Sequence, residues 1–128
     1  QVRQAMDVMT KEIRESKPSE ITITNGNTVS FKVPPAVYGD PWVGPIIYYR
    51  DVDDTNSDGI TDQIIREYPQ GTMRILANNI TVLSFSLSTD VVEIQVAAKK
   101  DIGGRELCFP SPCAEPQKAF KGTVKLRN

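Results

Sequence analysis

The sequence predicts an α+β fold: one N-terminal amphipathic helix packed on antiparallel β-sheet. Three observations predict it. Residues 1–16 repeat their apolar side chains at helical spacing, from residue 20 onward the apolar period falls to two, and the two-period stretches are joined by Asn, Gly and Pro turns of hairpin type. With 128 residues, 39% of them hydrophobic and 24% charged, the chain is long enough to bury a core. It reads as a single domain over 1–128, the helix over 1–16 and the β-rich part over 20–128.

In the helix, Val2, Met6, Met9 and Ile13 form one apolar stripe, which Ala5 widens. Arg3, Asp7, Lys11, Arg14 and Glu15 lie off it. Ser16-Lys17-Pro18 ends the helix, because proline disfavours helical geometry in the residue before it. Ile21 and Ile23 then alternate with Thr22 and Thr24, and Val29, Phe31 and Val33 with Ser30 and Lys32. Asn25-Gly26-Asn27 between them tolerates positive φ, so the two stretches pair as a hairpin.

Residues 34–45, PPAVYGDPWVGP, carry four prolines and read as loop, since proline has no N–H to give a ladder. Tyr38 and Trp42 inside it are expected to anchor that loop on the core rather than bind a ligand. Further strands are expected over 46–50, 63–68 and 72–76. Leu83/Phe85/Leu87 and Val92/Ile94/Val96 make a second alternating hairpin turned at Thr89-Asp90. Residues 99–117 read as a long loop and 120–126 as the last strand. The total is one helix and about seven strands.

Function is narrowed first by exclusion. Fifteen basic residues against sixteen acidic ones, net charge -1, do not suit a phosphate backbone, so nucleic acid is not an expected partner. The chain has no His, no Gly-x-Ser-x-Gly elbow, no phosphate-binding glycine loop and no Ser-x-x-Lys, so catalysis is not expected. Cys108 and Cys113 are the only cysteines. They could form half of a metal site, a redox pair or a short loop-closing disulfide. Zinc would need two more Cys or His ligands, and the spacing is not Cys-x-x-Cys, so the disulfide and an oxidising compartment are favoured. Asn79-Ile80-Thr81 matches a glycosylation sequon, a short pattern of little weight.

The sharpest local signal is acidic. Between Asp51 and Asp62 lie five aspartates in twelve residues, in the order Asp54-x-Asn56-x-Asp58-Gly59-Ile60-x-Asp62. Calcium takes six to eight oxygens in a flexible cage. Asp54, Asn56 and Asp58 can supply side-chain oxygens, Ile60 a carbonyl and Asp62 the closing ligand, with Asp51 and Asp53 as further candidates. The run resembles EF-hand, dockerin and thrombospondin type 3 loops, but Ile65 stands where an EF-hand has its bidentate Glu. A bound Ca2+ would be structural. The alternative is a solvated acidic hairpin loop, with like charges held close together.

Three stretches carry a wider resemblance. They are Arg3–Arg14, the pair Ile47-Tyr48-Tyr49-Arg50 and Ile64-Ile65-Arg66-Glu67 flanking the acidic loop, and the closing Val124-Lys125-Leu126-Arg127-Asn128. Together they resemble the globular domain of type IV pilin-like proteins, in the minor pilin or minor pseudopilin branch. The resemblance implies a structural subunit of a type IV pilus or type II secretion filament, acting in assembly or tip priming. Its implied partners are other pilin or pseudopilin subunits, and the inner membrane through an apolar helix half upstream of Gln1. The implied location is the periplasmic or extracellular face. A secreted calcium-dependent binding or adhesion module is the second expectation, from the Asp-rich and Pro-rich loops.

Overall fold

A computed structural model describes residues 1–127; Asn128, the last residue of the closing motif, lies outside it. Among the described residues there is one α-helix, α1 (Val2–Arg14), a 3-10 turn at Pro18–Glu20, and nine strands. The strands are β1 (Ile21–Thr24), β2 (Thr28–Val33), β3 (Val43–Asp51), β4 (Gln63–Glu67), β5 (Met73–Ala77), β6 (Ile80–Ser88), β7 (Val91–Ile102), β8 (Arg105–Phe109) and β9 (Phe120–Lys125).

These strands form two antiparallel sheets. The first has five strands in the order β1-β2-β3-β4-β5, a meander in which each strand pairs with its neighbour in sequence. The second has four: β7 is flanked by β6 on one side and by both β8 and β9 on the other, β9 along its first half and β8 along its second. The turn at Asn25 (φ 54°) and Gly26 (φ 70°) closes the β1–β2 hairpin. The alternation expected in β2 holds, with Val29 and Phe31 buried and Lys32 exposed. In β7, Val92, Ile94 and Val96 are fully buried.

The expectation of an α+β fold is overturned. The chain is β-rich, two antiparallel sheets with a single 13-residue helix, and not a helix laid on one sheet. Period-two alternation shows that a sheet buries one face; it does not show what covers that face. Here the two sheets also pack on each other. β6 lies against β1, β2, β3 and β4, and backbone hydrogen bonds from Phe85 to Gly26 (2.7 Å) and from Ile80 to Asp62 (2.8 Å) tie the sheets together. The helix lies at the border of the two, against β9 on one side and β5 and β2 on the other. Ala5, Met6, Met9 and Ile13 are its buried side chains. Met6 Cε sits where a side chain at Gly122 of β9 would begin, 2.7 Å from an ideal Cβ, so the glycine lets the helix approach.

The strand count also differs. About seven were expected and nine are present among the described residues, and part of the 99–117 loop is regular structure: β7 runs on to Ile102, turns at Gly103-Gly104 and returns as β8.

Candidate functional site

The acidic loop joins β3 to β4 at one end of the five-stranded sheet. Four residues in left-handed backbone geometry fold it back on itself: Asp54 (φ 52°), Ser57 (φ 58°), Gly59 (φ 81°) and Asp62 (φ 61°). Its base is fixed by Asp51, which is buried. The Asp51 carboxylate accepts the Thr55 N–H (2.8 Å) and the Thr55 hydroxyl (2.8 Å), and its carbonyl accepts the Asp62 N–H.

Above this base the carboxylates serve the backbone. Asp54 accepts the N–H groups of Asp58 and Gly59, both at 3.0 Å. Asp58 accepts the Ile60 N–H at 2.8 Å. That backbone donor, together with Gln63, Asp54 and Asn56 side chains nearby, holds the Asp58 carboxyl below the usual range. The Asn56 amide donates to Asp58 (3.3 Å) and to Gln63 (3.4 Å), while its Oδ1 is buried and has no hydrogen-bond partner among the described residues.

So the structure brings Asp54, Asn56 and Asp58 together and does not bring Asp62 to them. Asp62 is drawn to Arg50, with an ion pair of 2.7 Å. The Ile60 side chain is exposed and its N–H faces Asp58. Asp51, one of the further candidates, is engaged as a cap on Thr55, and Asp53 is exposed and makes no side-chain hydrogen bond among the described residues. No three acidic or Cys side chains converge as a metal-binding group among the described residues. As folded, Asp54, Asn56 and Asp58 bring two carboxylates and one amide oxygen together; a calcium ion takes six to eight oxygens, so backbone carbonyls such as that of Ile60, and water, would have to supply the rest. Gln63 borders the same cluster and lies outside the Asp-x-Asn-x-Asp pattern, which is why its part was not legible.

A second constellation joins the helix to the first sheet. Arg66 on β4 reaches both Glu12 carboxylate oxygens, through Nε at 2.9 Å and Nη2 at 2.7 Å. The buried Tyr48 hydroxyl on β3 donates to the same carboxylate. Burial by itself would raise Glu12, but the hydrogen bonds from Arg66 and Tyr48 and the charges of Arg66 and Arg74 outweigh it and hold the carboxyl below its ordinary value. Burial first, and Glu12 second, push the Tyr48 hydroxyl upward, and Arg66 is held protonated chiefly by its hydrogen bond to Glu12. The three side chains come from the stretches singled out in the sequence, yet only the fold shows that they meet.

The third feature is a cleft of about 700 Å³ beside the Pro-rich loop, bordered by Lys17, Tyr38, Asp40, Trp42 and Arg127. Trp42 is half-buried with the Lys17 ammonium 4.6 Å from its ring centre, a cation–π contact. Tyr38, expected to anchor the loop, is fully exposed instead. Arg127 pairs with Glu15 at 2.6 Å.

Cys108 and Cys113 form a disulfide. It closes the turn after β8, beside a polar hollow lined by Lys99, Glu106, Glu115 and Gln117. None of the described helices is long and apolar enough to cross a membrane. No family model, no curated protein and no solved structure matches this chain.

Proposed function

We propose that this chain is a structural subunit of a type IV pilus or type II secretion filament, of the minor pilin or minor pseudopilin kind. The observation that carries the reading is the clasp of Glu12 on the helix with Tyr48 and Arg66 on adjacent strands. A filament subunit extracted through its N-terminal helix must pass force from helix to globular part. A charge-assisted, two-toothed contact with a buried tyrosine resists sliding of the helix along the sheet better than apolar packing alone. The remaining support is the resemblance of the helix, the β3–β4 hairpin segments and the C-terminal residues. No catalytic role is proposed; binding to neighbouring subunits is the activity. Before assembly the subunit is anchored in the inner membrane, with this domain on the periplasmic side.

The test is direct. The gene sequence ahead of Gln1 is expected to encode a short basic leader, a Gly before Phe or Met, a Glu five residues into the mature chain and an apolar helix of ~20 residues. Filaments sheared from cells are expected to contain the chain. A cleavable signal with no retained apolar helix, or filaments free of the chain, would overturn the reading.

The second reading, a calcium-dependent binding module, is favoured by one observation: among the described residues Asn56 Oδ1 is buried without a hydrogen-bond partner next to Asp58 and Asp54. Asp54, Asn56 and Asp58 would hold the ion, and Asp62 would complete the set only by leaving Arg50. Binding to the folded state adds stability as RT ln(1 + [L]/Kd). Millimolar calcium is therefore expected to raise the melting temperature, and Asp58→Ala to abolish the rise. A melting curve unchanged by calcium removes this reading.

A further inference from the structure

The arm formed by residues 99–102 of β7 and 105–107 of β8 stands clear of the core, with every residue from Lys99 to Leu107 exposed. Its register sorts the side chains onto two faces. Lys100 pairs with Leu107 and Ile102 with Arg105 on one; Lys99 pairs with Cys108 and Asp101 with Glu106 on the other. The second face is polar, carries the Lys99–Glu106 ion pair (3.3 Å) and borders the hollow beside the disulfide-closed turn.

The first face is bare. Ile102 is 52% exposed and Leu107 46%. Lys100 and Arg105 flank them, and Arg3 stands at the foot of the face, its guanidinium 5.5 Å from the Phe109 ring centre. A hollow of about 190 Å³ opens there between Val2, Ala98, Lys100, Leu107 and Phe109, room for one aliphatic side chain. Three cations around two exposed aliphatics and an apolar hollow make a surface for an acidic partner that also carries aliphatic side chains.

The same molecule carries that complement. Its acidic loop exposes Asp53 and Asp58 together with Val52 (53%) and Ile60 (51%). Loop and arm lie at the same end, since one cavity of about 390 Å³ is lined by Gly59, Ile60 and Asp62 from the loop and by Lys99 at the base of the arm. Two complementary patches side by side at one end suit a two-fold axis, on which each loop meets the other copy's arm. We propose that the bare face of the β7–β8 arm docks the Asp51–Asp62 loop of a second copy of this chain, giving an isologous dimer. The proposal rests on charge and exposure at this end of the molecule, independently of the filament reading.

Charge reversal with complementation tests it. Asp53 and Arg105 are exposed and make no side-chain hydrogen bond or ion pair among the described residues, so Asp53→Lys and Arg105→Glu leave the fold's own contacts intact. Sedimentation velocity of the 128-residue chain at low salt is expected to show a monomer–dimer equilibrium with Kd on the order of 100 μM. Raising salt to ~0.5 M is expected to weaken it several-fold, because the paired charges are exposed. Each variant alone is expected to be monomeric, with the melting temperature of the parent chain. An equimolar mixture of the two is expected to dimerise again, since in the mixed pair both contacts regain opposite charges. A parent chain that stays monomeric at every concentration overturns the proposal, and if it then binds phosphatidylglycerol vesicles the face belongs to a lipid surface. A dimer that survives either reversal, or a mixture that fails to recover it, overturns it as well.

Discussion

At the scale of single residues the stability of the helix contact turns on Glu12. Its carboxylate is the only acceptor between two donors, the Arg66 guanidinium and the Tyr48 hydroxyl, among the described residues. Removing the charge leaves Arg66 facing a neutral group in a place where its side chain is only 19% exposed. Glu12→Gln is expected to cost about 2 kcal/mol, less than a fully buried pair would, because water still reaches both partners. Urea unfolding followed by Trp42 fluorescence measures it. The pH dependence has a definite sign. Glu12 is lowered in the folded state from an ordinary value of 4.5, so its stabilising contribution is complete above that pH and is lost as pH falls through the lower folded value. The gap between parent and Glu12→Gln is therefore expected to be widest at neutral pH and to narrow below about pH 4.5. A gap that grows on acidification would show that the carboxylate is not stabilised by the fold. Gly44 is a second sensitive position. It has φ 150°, and a Cβ there would lie 2.8 Å from the Phe31 carbonyl oxygen. An alanine at that position meets backbone, which cannot step aside as a side chain can.

At the scale of elements, what the sequence revealed depended on whether an element buries one face and turns on recognisable residues. The β1–β2 and β6–β7 hairpins were legible because Val29/Phe31 and Val92/Ile94/Val96 alternate cleanly and Asn25-Gly26 and Thr89-Asp90 mark their turns. The start of β3 was hidden by Pro45, which sits in the register irregularity between Phe31 and Val33, where a missing N–H breaks no ladder bond. β8 was hidden because most of it is exposed, so Arg105-Glu106-Leu107 carries no apolar period. In the candidate site, Asp54, Asn56 and Asp58 could be read from spacing. The Arg50–Asp62 pair and the Glu12–Arg66 contact, 54 residues apart, needed the register and the fold. The same exposure makes a prediction for the arm. Its disulfide closes a ring of a few residues, for which loop-closure entropy gives about 2 kcal/mol. Because the arm contributes little to the core, opening the bond is expected to loosen it locally. With Cys108→Ser and Cys113→Ser together, amide exchange in 105–109 is expected to speed up about tenfold or more. Amides in the first half of β7, such as Ile94, should keep their protection; equal loss at both places would show that the arm is part of the cooperative core.

For the whole molecule, the decisive fact is that two sheets and a helix share one interior. Phe31, Tyr48 and Ile64 of the five-stranded sheet, Phe85, Ile94 and Val124 of the four-stranded sheet, and Met9 and Ile13 of the helix belong to one continuous buried cluster. Phe31 stacks on Tyr48 at 5.6 Å between ring centres, and Tyr48 in turn holds Glu12, so the apolar core and the polar clasp are joined at one side chain. Among the described residues neither sheet has a second core of its own to fall back on, and a sheet stripped of its cover would expose a full apolar face to water. Unfolding is therefore expected to be a single transition, alike by far-UV circular dichroism, which reports the strands, and by Trp42 fluorescence. Phe31→Ala and Ile94→Ala cut the cluster in different sheets, each at a side chain no more than 1% exposed. Each is expected to cost about 3 kcal/mol through lost burial and the cavity left behind, and each should move both signals together. If Ile94→Ala instead split the curve, with the fluorescence step left in place while the circular dichroism step moved, the sheets would be separate folding units. The helix would then stabilise only one of them, and a load applied to it would not be borne by the domain as a whole.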